Sequence, residues 1–354
     1  MGVSRIGVIG LGAMGSGVAR SLLRAGFEVH ACDVRASVLD ALAAEGAVAH
    51  PTPQALGARV DAVIILVVNA EQTEAVLFGE HGVVPALRKG GIVMASSTVP
   101  PHYAETLGAR LAVEGLAMLD APVSGGAARA ASAEMTVMAS GDPAAFEAMS
   151  PVLDAIAGKV YRLGDSPGAG SKVKVINQLL AGVHIAAATE AMALGIRAGV
   201  DPDALFEVIA NSAGNSWMFS NRVPHILAGD YTPLSAVDIF VKDLGIVLDS
   251  ARKLTFPLPL TSAALQMFIA TSAAGLGKED DSAVIKKFQR LTGIDLPGGT
   301  PAGAARHLPG TSANATATGD ARASAEAGRS SDASAHERSS SPQAPRHEPG
   351  TMED

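Results

Sequence analysis

The sequence predicts an α/β domain, followed by an all-helical domain and a C-terminal tail. Three observations predict this order. Short apolar runs alternate with helical patterns over residues 1–165, the pattern is helical throughout 166–297, and the segment 298–354 contains no Ile, Val, Phe, Tyr or Trp. Alternating strands and helices build a parallel sheet with helices on its faces. A segment so poor in apolar residues cannot bury enough surface to fold, so we expect residues 298–354 to be disordered.

Composition and charge exclude several partners. The 354-residue chain carries 27 basic and 35 acidic side chains, a net charge of −8, whereas a nucleic-acid-binding domain is basic. Its one cysteine, Cys32, excludes an intrachain disulfide and suits a reducing compartment. The uncharged segment 254–277 contains Pro257 and Pro259, which favours a loop and a buried helix over a membrane span. We therefore expect a soluble cytoplasmic protein with neither a nucleic-acid nor a membrane partner.

The first strand, helix and second strand frame a glycine-rich turn. An apolar strand over residues 5–9 leads into a Gly-x-Gly-x-x-Gly turn, a helix follows up to Gly26, and a strand over 27–32 ends before Asp33. Such a turn is typical of dinucleotide binding, because its glycines permit the tight bend, the approach of the pyrophosphate and close helix–strand packing. We therefore predict a Rossmann-type, doubly wound sheet. The predicted cofactor contacts in this turn are Gly10, Leu11, Gly12, Ala13, Met14 and Gly15.

The acidic residue after the second strand indicates which dinucleotide is bound. Asp33 follows Gly15 by 18 residues, where a carboxylate accepts hydrogen bonds from the ribose hydroxyls of NAD and repels the 2′-phosphate of NADP. Arg35, two residues later, is able to pair with that phosphate instead. The sequence therefore favours NAD, with NADP as the less favoured alternative.

Further strand ends should face the same crevice as the turn. An unbroken apolar run over 61–68 indicates a buried strand whose last residues, Val67 and Val68, are predicted cofactor contacts. Strands over 92–95 and 116–119 follow. Ligands bind outside the carboxyl ends of parallel strands, so these ends should border one site. The α/β domain is completed by predicted strands over 135–138 and 159–163 and a helix over 146–156.

The segment after the strand over 116–119 contains Ser124, Gly125 and Gly126. A hydroxyl followed by successive backbone N–H groups without side chains makes an anion nest, which suits a small carboxylate. The alternative is an ordinary glycine-rich turn.

A long helix over 172–198 begins the second domain. Lys174, Asn177 and Gln178 lie at i, i+3 and i+4 and therefore share one face. Lys174 can act as a base only if its pKa falls well below about 10.4, and burial or the positive helix N-terminus would lower it. The alternative is a solvated first-turn lysine. The helix is apolar around much of its circumference and should be buried, with a second subunit as one candidate partner, so we expect a homodimer or homotetramer.

Five motifs in order resemble the β-hydroxyacid dehydrogenases, a family that includes 3-hydroxyisobutyrate dehydrogenase and tartronate semialdehyde reductase. The resemblance covers about residues 4–296, and its motifs are GLGAMG (10–15), SST (96–98), DAPVSGG (120–126), GAGSKVKVINQ (168–178) and FVKDLG (240–245). Within the family, SSTVPP and the segments 214–227 and 231–245 are most similar to the branch that oxidises the C2 hydroxyl of L-threonate with NAD.

The resemblance implies roles for individual residues. Lys174 matches the catalytic lysine of the family, and Ser124, Gly125 and Gly126 match its substrate-carboxylate site. Thr98 and Lys242 match cofactor contacts near the nicotinamide. Asn177 matches the first of two adjacent asparagines, whereas Gln178 replaces the second; both are predicted substrate contacts.

Other functions remain open from the sequence. No His, Cys or Asp cluster has metal-ligand spacing, so no metal is expected. The enzymatic alternatives to L-threonate oxidation are 3-hydroxyisobutyrate dehydrogenase and tartronate semialdehyde reductase. An alternative of another class is a non-catalytic, NAD-binding redox sensor. Intact Lys174 and an intact 124–126 nest disfavour the sensor, because such a protein would be free to lose them.

Overall fold

Nine strands form one mixed sheet within residues 3–299, the part of the chain that the computed structural model describes. They are β1 (Arg5–Ile9), β2 (Glu28–Cys32), β3 (Val48–Ala49), β4 (Ala62–Ile65), β5 (Ile92–Ala95), β6 (Ala117–Asp120), β7 (Val123–Ser124), β8 (Met135–Gly141) and β9 (Ala157–Arg162). The order is β3-β2-β1-β4-β5-β6-β8-β7, with β9 paired to β8. Strands β1 to β6 pair in parallel, which confirms the predicted doubly wound sheet.

The far end of this sheet departs from the parallel pattern. Strand β8 runs antiparallel to both β6 and β7, and β9 is parallel to β8. The antiparallel pairing of β6 with β8 rests on two residue pairs, Leu119 with Gly141 and Asp120 with Ser140. The sequence pattern predicted neither this pairing nor the two-residue strands β3 and β7, because such short segments have no periodicity to detect.

The central strand β4 is buried on both faces of the sheet. Ile64 packs into one apolar cluster with Ile6 and Val8, whereas Val63 and Ile65 pack into the opposite one. This explains its unbroken apolar run, since helices cover both faces of a parallel sheet. The strand is shorter than the predicted 61–68, because the chain leaves the sheet after Ile65.

Thirteen α-helices lie within the described residues. They are α1 (Ala13–Arg24), α2 (Ala36–Ala44), α3 (Pro53–Gly57), α4 (Ala70–Phe78), α5 (Pro101–Val113), α6 (Gly126–Ala131), α7 (Pro143–Ile156), α8 (Ala169–Arg197), α9 (Pro202–Ala210), α10 (Trp217–Ala228), α11 (Val237–Lys253), α12 (Pro259–Thr271) and α13 (Ile285–Thr292). The predicted helix over 172–198 is α8, which begins earlier, at Ala169. A loop followed by α12 replaces the rejected membrane span over 254–277.

Helix α8 is the centre of the helical part. It contacts α10, α11, α12 and α13 on one side, and its N-terminal turns contact β6, β8 and α5. By length and composition alone α8 is also long and apolar enough to cross a membrane, a test that core helices of soluble proteins pass as well. Its buried positions include Lys174, Gln178 and Thr189. Helix α8 therefore extends from the sheet into the helical bundle, with buried side chains along its length.

Two expectations about chain division are not decided by this fold. The expected boundary between residues 165 and 166 lies in the loop between β9 and α8, and the described residues form one compact unit. The expected disordered tail over 298–354 lies, from residue 300 onward, outside the described residues.

Candidate active site

Asp120 holds the N-terminus of α8 against the end of β6. Its Oδ2 accepts hydrogen bonds from the backbone N–H groups of Gly168 (2.9 Å) and Ser171 (2.8 Å), and its Oδ1 accepts one from the Ser171 hydroxyl (2.7 Å). Burial raises the pKa of Asp120, although these donors oppose the rise. The carboxylate thereby caps the first turn of α8, which has no side-chain cap of its own, and fixes the direction in which the helix leaves the sheet.

Lys174 lies one turn further along α8 and is only 7% exposed. Its Nζ donates a hydrogen bond of 2.8 Å to the backbone carbonyl of Val123. Burial lowers the pKa of Lys174 to about 8, while the nearby charge of Asp243 raises it and that of Lys242 lowers it further. A substantial fraction of this amine is therefore neutral near physiological pH, as a general base requires.

The hydrogen bond to Val123 brings Lys174 beside the residues of the predicted nest. Ser124 ends β7, Gly125 has φ +127° and Gly126 has φ +74°. Residues other than glycine rarely adopt such positive φ angles. A Cβ on Gly126 would meet no atom within 4 Å, so the backbone of Gly126 is uncovered beside Ser124. The role of residues 124–126 as an anion nest stays a prediction.

A chain of polar contacts joins α8 to α11 and to the end of β5. Asn177 Nδ2 donates to Gln178 Oε1 (2.9 Å), and Gln178 Nε2 donates to Asp243 Oδ2 (2.6 Å). Lys242 Nζ forms an ion pair with Asp243 Oδ1 at 2.7 Å, although the geometry is not that of a hydrogen bond. The same Nζ donates a hydrogen bond to the Thr98 carbonyl (3.2 Å). The predicted residues Asn177, Gln178, Lys242 and Thr98 therefore belong to one network. Helix α11 begins at Val237, so Lys242 lies in its second turn.

The glycine-rich turn forms a second group at the ends of β1, β2 and β4. A Cβ on Gly10 would lie 2.8 Å from the Leu66 carbonyl oxygen and 3.0 Å from a Val67 methyl, and Gly10 has φ +91°. A Cβ on Gly15 would lie 1.9 Å from the Gly10 carbonyl oxygen. These contacts require glycine for the tight bend and for the packing of α1 on β1. Leu11 is buried, Ala13 and Met14 form the first turn of α1, and Val68 is exposed beyond β4.

Gly12 has the geometry expected where a dinucleotide phosphate approaches. A Cβ at this position would meet no atom within 4 Å. Gly12 is also the N-cap of α1, which has no side-chain cap, so the first N–H groups of the helix remain available. The turn therefore fits a pyrophosphate, which needs uncovered backbone donors at a helix N-terminus.

Asp33 is engaged by its neighbours. Its Oδ2 accepts a hydrogen bond from Leu11 N–H (2.6 Å), and its two carboxylate oxygens accept from Arg35 Nε (2.9 Å) and Nη2 (3.1 Å). Burial would raise the pKa of Asp33, but the hydrogen bonds from Arg35 and Leu11 hold it below its usual value. An ionised carboxylate therefore stands at the end of β2, next to the glycine-rich turn.

The end of β5 carries two polar atoms without partners. The hydroxyls of Ser96 and Ser97 are buried and have no hydrogen-bond partner among the described residues. Buried polar groups are normally paired, so unpaired hydroxyls beside Thr98 fit a ligand that supplies the partners. Together with the turn at Gly12, this end of the sheet fits a nicotinamide dinucleotide lying along the carboxyl ends of β1, β4 and β5.

Sequence reasoning missed two residues of this site. Asp120 and Asp243 lie within the DAPVSGG and FVKDLG motifs, but the sequence assigned neither of them a role in the site. The signal that could have found them is their position, since Asp243 directly follows Lys242 and Asp120 begins the motif that contains Ser124. The structure adds no metal site, because the described residues contain no group of three or more candidate ligands.

Comparison with known proteins assigns the chain to a family. Residues 5–164 match the NAD binding domain of 6-phosphogluconate dehydrogenase, and residues 168–288 match the family described as NAD-binding of NADP-dependent 3-hydroxyisobutyrate dehydrogenase. The chain is 70% identical over 293 residues to L-threonate dehydrogenase of Cupriavidus necator, an alignment that covers 83% of this chain and 98% of that protein. The chain belongs to the β-hydroxyacid dehydrogenase family.

Other β-hydroxyacid dehydrogenases extend this likeness. L-threonate dehydrogenase of Escherichia coli K12 is 56% identical over 294 residues, covering 83% of this chain and 96% of its own length. The crystal structure of 3-hydroxyisobutyrate dehydrogenase from Salmonella typhimurium has 57% sequence identity and a TM-score of 0.77, and the alignment covers 80% of this chain and 99% of that one. This β-hydroxyacid dehydrogenase is therefore an NAD-dependent hydroxyacid dehydrogenase, and the predictions of family, fold and NAD are confirmed.

Proposed function

We propose that this β-hydroxyacid dehydrogenase oxidises the C2 hydroxyl of L-threonate with NAD, giving 2-dehydro-L-erythronate. The observation that carries the proposal is a buried Lys174 amine, with a pKa of about 8, beside the Ser124–Gly126 nest. The substrate follows from the relatives named L-threonate dehydrogenase, of which one is 70% identical across nearly its whole length.

In this proposal Lys174 moves the proton. Its neutral Nζ accepts the proton of the C2 hydroxyl during oxidation, and the resulting ammonium returns it in the reductive direction. The Val123 carbonyl orients the amine by accepting a hydrogen bond from it. Asp243 stabilises the ammonium form and so limits how far burial lowers the pKa. The chemistry supplied by bound NAD is acceptance of the hydride from C2.

Binding and orientation fall to the other residues of the site. The hydroxyl of Ser124 and the backbone N–H groups of Gly125 and Gly126 hold the substrate carboxylate. Asn177 contacts a substrate hydroxyl. The Gln178 amide is hydrogen-bonded to both Asn177 and Asp243 and positions these two side chains. Lys242, held by Asp243 and the Thr98 carbonyl, faces the nicotinamide end of the cofactor.

We propose NAD over NADP on the geometry at Asp33. Its ionised carboxylate would repel a 2′-phosphate, and Arg35, a nearby cation able to bind that phosphate, is already paired with Asp33 through two hydrogen bonds. The ribose hydroxyls of NAD donate to a carboxylate without such a penalty.

A second substrate is favoured by one specific comparison. The Salmonella typhimurium structure, 57% identical, carries the name 3-hydroxyisobutyrate dehydrogenase. Purified protein should be assayed with NAD and L-threonate, D-threonate, L-erythronate and 3-hydroxyisobutyrate, and in reverse with NADH and tartronate semialdehyde, by NADH absorbance. Preference for L-threonate supports the proposal, whereas preference for 3-hydroxyisobutyrate or tartronate semialdehyde would replace the substrate. Tight NAD binding without any turnover would instead favour a redox sensor.

We also propose that the enzyme is cytoplasmic and works as a homodimer or homotetramer. Helix α8 exposes an apolar stripe at helical spacing, formed by Val173, Ile176, Leu180 and Leu194, of which Ile176 is 58% and Leu194 is 69% exposed. Burial of such a stripe against a second copy would remove apolar surface from water.

A further inference from the structure

We propose that Arg129 is a specificity-determining residue that binds the substrate carboxylate together with the Ser124–Gly126 nest. Arg129 lies in α6, directly after the nest, and was not among the predicted site residues. The inference rests on the proposed function, because it assigns a further ligand-binding group to the same site.

The aliphatic stem of Arg129 lies against the nest. A Cβ on Gly125 would lie 2.8 Å from Cδ, 2.9 Å from Cβ and 3.3 Å from Cγ of Arg129. Gly125 is therefore glycine for two reasons, its φ of +127° and the stem packed against its Cα. This contact places the start of the side chain beside the residues that would hold a carboxylate.

The far end of Arg129 reaches the helical part of the protein. Its Cζ lies 5.9 Å from the centroid of the Trp217 ring, and Trp217 is the first residue of α10. Trp217 is the only tryptophan in the chain, and it is 52% exposed. A guanidinium over an indole face is attracted by the ring and held in a restricted set of positions. Arg129 therefore spans from the nest to α10.

The guanidinium of Arg129 makes no ion pair or hydrogen bond to another residue between 3 and 299. By contrast, Arg24, which also contacts α6, donates to the Ala131 carbonyl and the Ser21 hydroxyl. Arg222 is paired with Asp281 in the helical core. A guanidinium with free donors beside an anion nest matches a carboxylate in charge and in geometry, because its planar fork binds two oxygens at once.

Together these observations set the substrate class. Lys174 is bonded to Val123, the residue before the nest, and the Arg129 stem packs against Gly125, so two basic side chains flank Ser124, Gly125 and Gly126. Such an arrangement selects small hydroxy acids that carry an ionised carboxylate and rejects the corresponding neutral alcohols. A substrate with the same hydroxyls but no carboxylate would leave both the nest and Arg129 unpaired.

The decisive experiment compares Arg129→Met, Arg129→Lys and the control Arg162→Met. Arg162 is also exposed and lies over an aromatic ring, with Cζ 4.4 Å from the Phe146 centroid, but it belongs to β9, on the other side of β8 from the nest. We expect Arg129→Met to lower kcat/KM for L-threonate about tenfold to a hundredfold, almost entirely through KM, and Arg129→Lys to recover part of it. Arg162→Met should behave as wild type.

Trp217 supplies a readout that does not depend on turnover. Titration of cofactor-free wild-type protein with L-threonate should give a saturable change in tryptophan fluorescence, whereas the neutral polyol L-threitol should not. The change should be lost in Arg129→Met and retained in Arg162→Met. Melting temperature and NAD affinity of all variants should stay close to those of wild type, since within residues 3–299 the Arg129 guanidinium forms no ion pair or hydrogen bond and contacts only the half-exposed Trp217 ring.

The outcomes separate this inference from the proposed function. An unchanged KM in Arg129→Met, with L-threonate turned over normally, would overturn the role of Arg129 and leave the function standing. A lower melting temperature together with weaker NAD binding and a lower kcat in Arg129→Met would also overturn this role, since such a combined loss indicates that Arg129 is structural. If wild type prefers another hydroxy acid, that acid replaces L-threonate in both experiments. A raised KM of Arg129→Met for that acid would support the role of Arg129, even though L-threonate is then not the substrate.

Discussion

The Lys174 amine donates a 2.8 Å hydrogen bond to the carbonyl of Val123, the residue directly before Ser124. This single contact joins the first turns of α8 to the strand that carries the nest. It holds the Lys174 amine next to residues 124–126, and within residues 3–299 no carboxylate pairs directly with that amine. The lowered pKa of Lys174 follows from that arrangement, because burial outweighs the more distant charge of Asp243.

Replacement of Lys174 should remove the base while leaving the cofactor site intact. We expect Lys174→Ala to lower kcat at least about a hundredfold, since the variant loses the amine proposed to accept the hydroxyl proton. NAD affinity, measured by calorimetry, should change little. Lys172→Ala is the matched control: Lys172 is exposed and pairs with Glu105, so its loss should leave kcat unchanged. Near-normal turnover of Lys174→Ala would exclude this residue from the mechanism.

The pH dependence of the reaction should report the pKa of Lys174. Oxidation needs the neutral amine, so kcat/KM should rise with pH and level off above about 8. Reduction needs the ammonium and should show the opposite slope. In Asp243→Asn the group that raises this pKa is removed, so both profiles should shift to lower pH. A profile that stays in place in Asp243→Asn would show that Asp243 does not act on the titrating group.

Asp120 should stabilise both the fold and the position of α8. Asp120→Ala leaves two backbone N–H groups and the Ser171 hydroxyl buried without an acceptor, so we expect a loss of about 2–4 kcal/mol in the free energy of unfolding. Asp120→Asn keeps one acceptor oxygen and should lose less. Urea denaturation measures both. Equal stability of the alanine variant and wild type would contradict the anchoring role.

Cofactor preference should depend on Asp33. In Asp33→Ser the repulsion of a 2′-phosphate is removed and Arg35 loses its partner, so NADP should gain relative to NAD by about tenfold or more in kcat/KM. The double variant Asp33→Ser, Arg35→Ala should lose much of that gain. If both variants kept the wild-type ratio, another part of the adenosine site would set the preference.

The exposed stripe on α8 should govern the oligomeric state. We expect Leu180→Glu to reduce the mass measured by light scattering after gel filtration, because it places a charge in an apolar interface. Val113→Glu on α5 is the control, since Val113 is equally apolar and even more exposed but lies outside α8. A monomeric wild type, or an unchanged Leu180→Glu oligomer, would contradict the role of the stripe.

Much of this site follows from short-range pattern. The turn over 10–15 is recognisable because Gly10 and Gly15 are required by local backbone geometry, which a glycine spacing records directly. Strand β5 was likewise predictable, since an apolar run covers residues 92–95. Lys174, Asn177 and Gln178 could be placed on one helix face, because helix periodicity alone determines that relation.

Long-range contacts could not be obtained in the same way. Nothing in the local sequence states that Gln178 bonds to Asp243, 65 residues away, or that Arg129 reaches Trp217. The local sequence likewise does not reveal that β8 pairs antiparallel with β6. This pairing brings Ser140 beside Asp120.

The sequence by itself therefore determined the α/β order, the dinucleotide turn, the shared helix face of Lys174, Asn177 and Gln178, and the family. Only the tertiary structure decided that Lys174 is buried, that Asp120 anchors its helix and that the Arg129 stem packs against Gly125. The physical reason is that periodicity and turn chemistry act over a few residues, whereas burial, pKa and ion pairing depend on which distant segments pack together.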